Sequence, residues 1–259
     1  MVTLSKMVAR QGRSFFGVLV LALTAPAWSV PVTFDLVQAM RDGDFVLGAP
    51  VATPSIGSGE TAAGSATLVR GGLSVTFTAE NFPGDSDPAT APYVYLDTRP
   101  DNRNPTTGGA GLGVCQRLTT SCGGEDEVSI TLNELLIANF AQQVSLSHLG
   151  FSPENNQVLD LGIAETLVAI SSDGGTSFAA FDQLATYSGS RFVFAVQSTA
   201  LGFASDAPVL GGENGGREFY LRSFKAQAVP APATTSLLAI ALLGMGFAGA
   251  MRRRQAKAG

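Results

Sequence analysis

The chain has 259 residues, including 30 Gly, 13 Pro and 2 Cys, with a formal net charge of −5. Only 14% of the residues are charged, which is low for a cytosolic protein, and one domain of roughly 200 residues fits between two short ends. Of the 16 basic residues, Lys6, Arg10 and Arg13 precede the first apolar run, while Arg252, Arg253, Arg254 and Lys257 follow the last; nine remain to face all 21 acidic residues, a balance of −12 that repels nucleic acid and anionic headgroups.

The N-terminus has a basic lead up to Arg13, then the apolar run "FFGVLVLALTA" from Phe15 to Ala25, then "APAWS" with small residues at Ala25, Ala27 and Ser29. This order predicts a secretory signal peptide. The run is shorter than the roughly 20 residues a bilayer span needs. Cleavage after Ala27 or after Ser29 satisfies the small-residue rule, and the second is the working boundary, so the signal peptide is placed at residues 1–29. On that boundary Trp28, the one tryptophan, leaves with it.

From Val30 to Ala228 short apolar runs alternate with Gly, Pro, Asn, Asp and Ser clusters. "GAPVATPSIGSGETAAGSA", Gly48 to Ala66, is small and polar and reads as a long loop or glycine-rich arm. "ATLV" followed by "RGG" predicts a hairpin with a glycine turn. Beyond it, "LSVTFTAE" places Leu73, Val75, Phe77 and Ala79 on one face of a strand. "PYVYLD" puts Tyr93 and Tyr95 on one face of the next. "VSITLNE", "VSLSHLGF", "QVLDLGI", "TLVAISS", "RFVFAVQ" and "EFYLRSFKAQAV" are further strand-like runs, and "SSDGGTSF" carries Asp-Gly-Gly at a turn. "LNELLIANFA" and "FDQLATY" are the two short helix candidates. Many short strands between turns predict an all-β domain, an antiparallel sandwich or jelly roll spanning 30–228.

Chemistry is sparse in this middle stretch. His148 is the one histidine, and the period of "VSLSHLG" places it on the face of Val144 and Leu146, as a structural residue. A Ser-His-Asp triad would have to use it, and no nucleophile elbow, zinc motif or phosphate loop is present, so no catalytic residue is assigned. Cys115 and Cys122, in "CQRLTTSC", are expected to form one disulfide in an exported chain. A metal site on them lacks further ligands, and a thiol nucleophile lacks a basic partner. No cofactor is expected. Ca²⁺ is the one metal whose oxygen ligands are on offer, from Glu125, Asp126 and Glu127, or from Asp97, Asp101 and Asn102 beside Arg99 and Arg103. A secreted glycan- or Ca²⁺-binding module of jelly-roll type is the alternative function, with Tyr93 and Tyr95 as a candidate glycan platform, although strand aromatics more often pack. A secreted hydrolase ranks below both.

The chain closes on "VPAPATTSLLAIALLGMGFAGAMRRR". No residue from Leu237 to Met251 is charged; with Thr234 to Ser236 the run reaches about 18 residues, enough for a thin span, and a transmembrane helix is placed at 235–251. Gly244, Gly246, Ala248, Gly249 and Ala250 allow close helix approach. Arg252, Arg253 and Arg254 set the topology by holding the cytoplasmic side, with 255–259 as a cytoplasmic tail.

A Pro-x-Pro motif, an apolar span, an Arg cluster and the chain end, in that order, resemble the PEP-CTERM sorting signal of exported proteins of Gram-negative bacteria. The family motif is Val-Pro-Glu-Pro-Ala-Thr; here Val229, Pro230, Ala231, Pro232, Ala233 and Thr234 stand in its place, with Ala231 for the glutamate. The resemblance covers 229–254 and implies a substrate rather than an enzyme. Its implied partners are the secretion machinery, the inner membrane transiently, exosortase, and the exopolysaccharide matrix at the cell surface or outside the cell. "GLGVC" and "ITLNELLIANFAQQVSLSHLGF" also resemble the β-rich domain common among such proteins. The prolines would keep the motif extended at the membrane face, where it can be cut.

Overall fold

A computed structural model describes residues 29–52, 60–81, 92–97, 111–115, 128–129, 134–153, 159–207 and 218–230. Among them twelve strands form one antiparallel sheet in the order β1-β12-β6-β5-β3-β4-β8-β11-β9-β10, with β2 on β3, β7 on β12, and a further pairing of β12 with β8. The all-β expectation holds.

The strands follow from local chemistry. β1 (Val32–Asp35) ends where the Asp35 side chain accepts from Gln38 N at 2.9 Å and so caps α1 (Leu36–Asp42). Gly43, at φ 70, stops that helix. β2 (Val46–Ala52) and β3 (Glu60–Arg70) pair from Val46↔Thr67 to Ala52↔Ala62. The loop or arm expected over Gly48–Ala66 is therefore corrected: Gly48–Ala52 and Glu60–Ala66 are ladder. Small residues are used there because space is short, and a Cβ on Gly64 would lie 2.5 Å from the Ala49 carbonyl oxygen. β3 turns into β4 (Leu73–Asn81) through Gly71 and Gly72, at φ 55 and 78. Two successive positive φ values make the tight hairpin turn that glycine allows. Leu73, Val75 and Phe77 are buried, as the alternation requires.

β5 (Tyr93–Asp97) and β6 (Gly111–Cys115) pair along their whole length. β7 is Val128–Ser129. β8 runs from Glu134 to Ser152 and takes in all the described residues of "LNELLIANFA", the first helix candidate, from Glu134 on. Leu135 and Ile137 are buried on one face, and Leu136, Ala138 and Phe140 on the other. Burial on both faces yields a continuous apolar run without strand alternation. "QVLDLGI" contributes the start of α2 (Leu161–Leu167), capped by Asp160 onto Gly162 N at 2.8 Å. "TLVAISS" ends that helix and opens β9 (Val168–Ser171), which pairs with β10 (Ala179–Ala180). "FDQLATY" is a turn, not a helix, because the Asp182 carboxylate takes Leu184 N at 2.7 Å. β11 (Tyr187–Val196), a 3-10 turn at Thr199–Leu201 and β12 (Glu218–Ala228) complete the order.

Two long strands close the sheet on itself. β3 pairs with β5 over its first residues and with β4 over its last. β8 pairs with β4 up to Phe140 and with β12 from Val144. β12, β6, β5, β3, β4 and β8 therefore form a closed hydrogen-bonded circuit. Phenylalanines fill the interior. Phe34 stacks on Phe224 at 4.8 Å, and Phe140 meets Phe34, Phe192 and Phe224 edge-on. A second group places Phe151 against Phe181, Phe194 and Phe219. These offset and edge contacts add to the burial of large apolar surface.

Candidate functional site

The two ends of the described domain meet. β1 and β12 run antiparallel, with Val32 opposite Ala226, so the chain enters and leaves side by side. Ser29 Oγ donates to the Ala228 carbonyl at 2.8 Å, and the Gln227 side-chain amide donates to the Ser29 carbonyl at 2.6 Å. Val229 N donates to the Gln143 carbonyl at 3.0 Å, which extends the β12–β8 ladder into the first residue of the Pro-x-Pro motif. The segments 29–32, 141–145 and 226–230, which meet here, contain no ionisable side chain. Val30 and Val229 are exposed at 80% and 40%. Within an acidic domain this end is neutral and partly apolar. Its chemistry is that of a fastening: it fixes where the chain emerges and contains no group that transfers protons.

Of the motif, only Val229 and Pro230 are described. Ala231, Pro232, Ala233, Thr234, the span 235–251 and Arg252–Arg254 lie outside the described residues, as does the N-terminal run up to Trp28. Among the described residues no helix is long and apolar enough to cross a membrane. Glu125, Asp126, Glu127, Asp101, Asn102, Arg99, Arg103 and Cys122 also lie outside. Among the described residues no group of three His, Cys, Asp or Glu gathers to hold a metal.

His148 differs from expectation. It is exposed, with φ 51, and Nδ1 lies 3.1 Å from Ser147 Oγ. Ser147 faces Lys225 and Gly150 faces Ser223, so β8 spends one residue more than β12 across this step. In the very next step β12 spends the extra one at Arg222, between Leu221↔Phe151 and Ser223↔Gly150. These opposed bulges change the phase of both strands. Leu146 gives way to Leu149 and Phe151 on the core face, and Leu221 to Phe224. His148 is thereby taken off the buried face where an unbroken period of two had put it.

Tyr95 is buried at 2% exposure, in a small cluster with Ala62, Cys115 and Tyr220, and Tyr93 packs beside it. The pair is packing, and Tyr95 offers no open platform. Asp97, at the end of the same strand, is also buried. Arg222 is held below the usual guanidinium range by burial, with Asp35 pulling the other way.

The sequence reading missed one polar knot. In the Ser171–Ser177 loop, Asp173 accepts from Ser171 Oγ and Ser177 Oγ, both at 2.6 Å, and from Thr176 N and Ser177 N, both at 3.0 Å. The two hydroxyls, then the Ser177 N–H, hold its carboxyl far below the usual range. Every one of these partners is local, so the knot shapes the turn between β9 and β10. Its signal in the sequence is an Asp-Gly-Gly flanked by hydroxyl residues.

No family model, curated protein or solved structure matches the chain.

Proposed function

We propose that this chain is a non-catalytic, exported protein of the bacterial surface or extracellular matrix, delivered by an N-terminal signal peptide and a C-terminal PEP-CTERM-like cassette. The observation that carries this reading is the neutral end at which Ser29 and Ala228 are bonded. A domain whose preceding and following segments both enter the same membrane must send its two ends out together. An acidic body also sits best against a membrane by an uncharged face. In this reading the secretion machinery and then exosortase are the partners, the inner membrane holds the intermediate, and exopolysaccharide surrounds the product. The closed circuit is read as two facing layers, a flattened sandwich whose long strands β3 and β8 pass from one layer to the other. Among the described residues there is no free cysteine, which supports pairing of Cys115 with Cys122.

Intact mass of the protein from envelope and medium tests the reading. A chain ending near Pro232 in the medium is expected. A chain found only in the cytosol with Met1 and Gly259 both present overturns it.

A further inference from the structure

We propose that signal-peptide cleavage falls after Ala27, so that the mature protein begins at Trp28 and keeps Ser29 as a fastening for its C-terminal strand. The proposal rests on the export reading of the N-terminus. Two bonds have small residues at both required positions: Ala27–Trp28, preceded by Ala25 and Ala27, and Ser29–Val30, preceded by Ala27 and Ser29. The folded domain distinguishes them by their products.

In either hydrolysis water adds across one amide: the carbonyl carbon gains the oxygen and leaves with the signal peptide as a carboxylate. The freed nitrogen becomes the ammonium of the mature chain. At Ser29–Val30 the departing carbonyl is the one that accepts from Gln227, and the departing side chain is the one that donates to Ala228. Both contacts vanish, and a new positive charge arrives at Val30, in an end that has no counter-charge among residues 29–32, 141–145 and 226–230. An amide and a carbonyl that lose their partners forfeit the stabilisation that those bonds supplied. At Ala27–Trp28 both contacts survive and the ammonium lies two residues further out. The retained Ser29 then holds the last residues of β12 against the start of the chain, and the Pro-x-Pro segment departs from a fixed point with Val229 still in the ladder.

The test is N-terminal sequencing, with intact mass, of the full-length chain expressed in an exporting Gram-negative host. A start at Trp28 is expected. A start at Val30 overturns the proposal while leaving export intact, whereas an unprocessed Met1 start overturns the export reading itself. The Ser29→Leu variant separates the bonds directly. A large residue immediately before Ser29–Val30 blocks that cut and leaves the small residues needed at Ala27–Trp28 untouched. Processing at Trp28 is expected to continue at the wild-type level, and accumulation of the precursor would sink the proposal.

Discussion

Deleting His148 should cost far less than a deletion inside a strand usually does, because it shifts no side chain to the other face. His148 is the extra residue that lets β8 change phase between Leu146 and Leu149. Without it Leu146 and Leu149 stand two apart in an unbroken alternation, so Leu149 and Phe151, 4% and 1% exposed, keep to the core face. Each such side chain contributes about 1.5–3 kcal/mol through burial. Relief of the left-handed backbone returns about 1–2 kcal/mol. That burial is kept, so the deletion should be neutral or stabilising by up to about 2 kcal/mol, against the about 5–15 kcal/mol that holds a domain folded. Substitution separates the conformation from the side chain. His148→Gly gains the same relief and gives back about 0.5–1 kcal/mol in chain entropy, so it should be neutral or stabilising by up to about 1 kcal/mol. His148→Val places a branched side chain at φ 51 and should destabilise. Urea unfolding followed by far-UV circular dichroism measures all three. The bulge argument is refuted if the deletion unfolds well below the wild-type midpoint, or if the glycine variant is the least stable of the three.

Two other substitutions test other parts of the fold. Asp173 has its folded pKa lowered by Ser171 and Ser177, so its contribution is present above the ordinary carboxylate value and lost as pH falls below about 4. Asp173→Asn should therefore flatten the acid side of the melting-temperature profile and leave its slope at neutral pH unchanged; an unchanged acid limb would contradict the role given to the knot. Gly111 sits at φ 131, where a Cβ would lie 2.5 Å from the Leu221 carbonyl oxygen. Gly111→Ala should lower stability by more than about 2 kcal/mol, read by the same urea titration, because neither backbone can yield without breaking the β6–β12 pairing.

Much of the fold was open to reading along the chain. The alternation of Leu73, Val75 and Phe77, the Gly71-Gly72 turn, and the runs that became β5, β11 and β12 each satisfy a local rule, so a local reading finds them. α1 and α2 escaped because seven residues are too few to display a helical period; only Asp35 and Asp160 mark their starts. The first half of β8 escaped for the opposite reason, since burial on both faces removes the period altogether, whereas its second half, "VSLSHLGF", was legible as a strand.

The sequence alone determined the kind of chain this is: an acidic, turn-punctuated middle between a basic-then-apolar start and an apolar-then-basic end. These are properties of composition and order, and they need no partner elsewhere in the chain. Only the tertiary structure decided that Gly48–Ala52 is ladder and not loop, because the strand opposite supplies its hydrogen bonds. It alone set the phase of His148, because a bulge is defined by what the neighbouring strand does. It alone brought Ser29 to Ala228 across 199 positions, and so showed that the two ends of the domain are a single place.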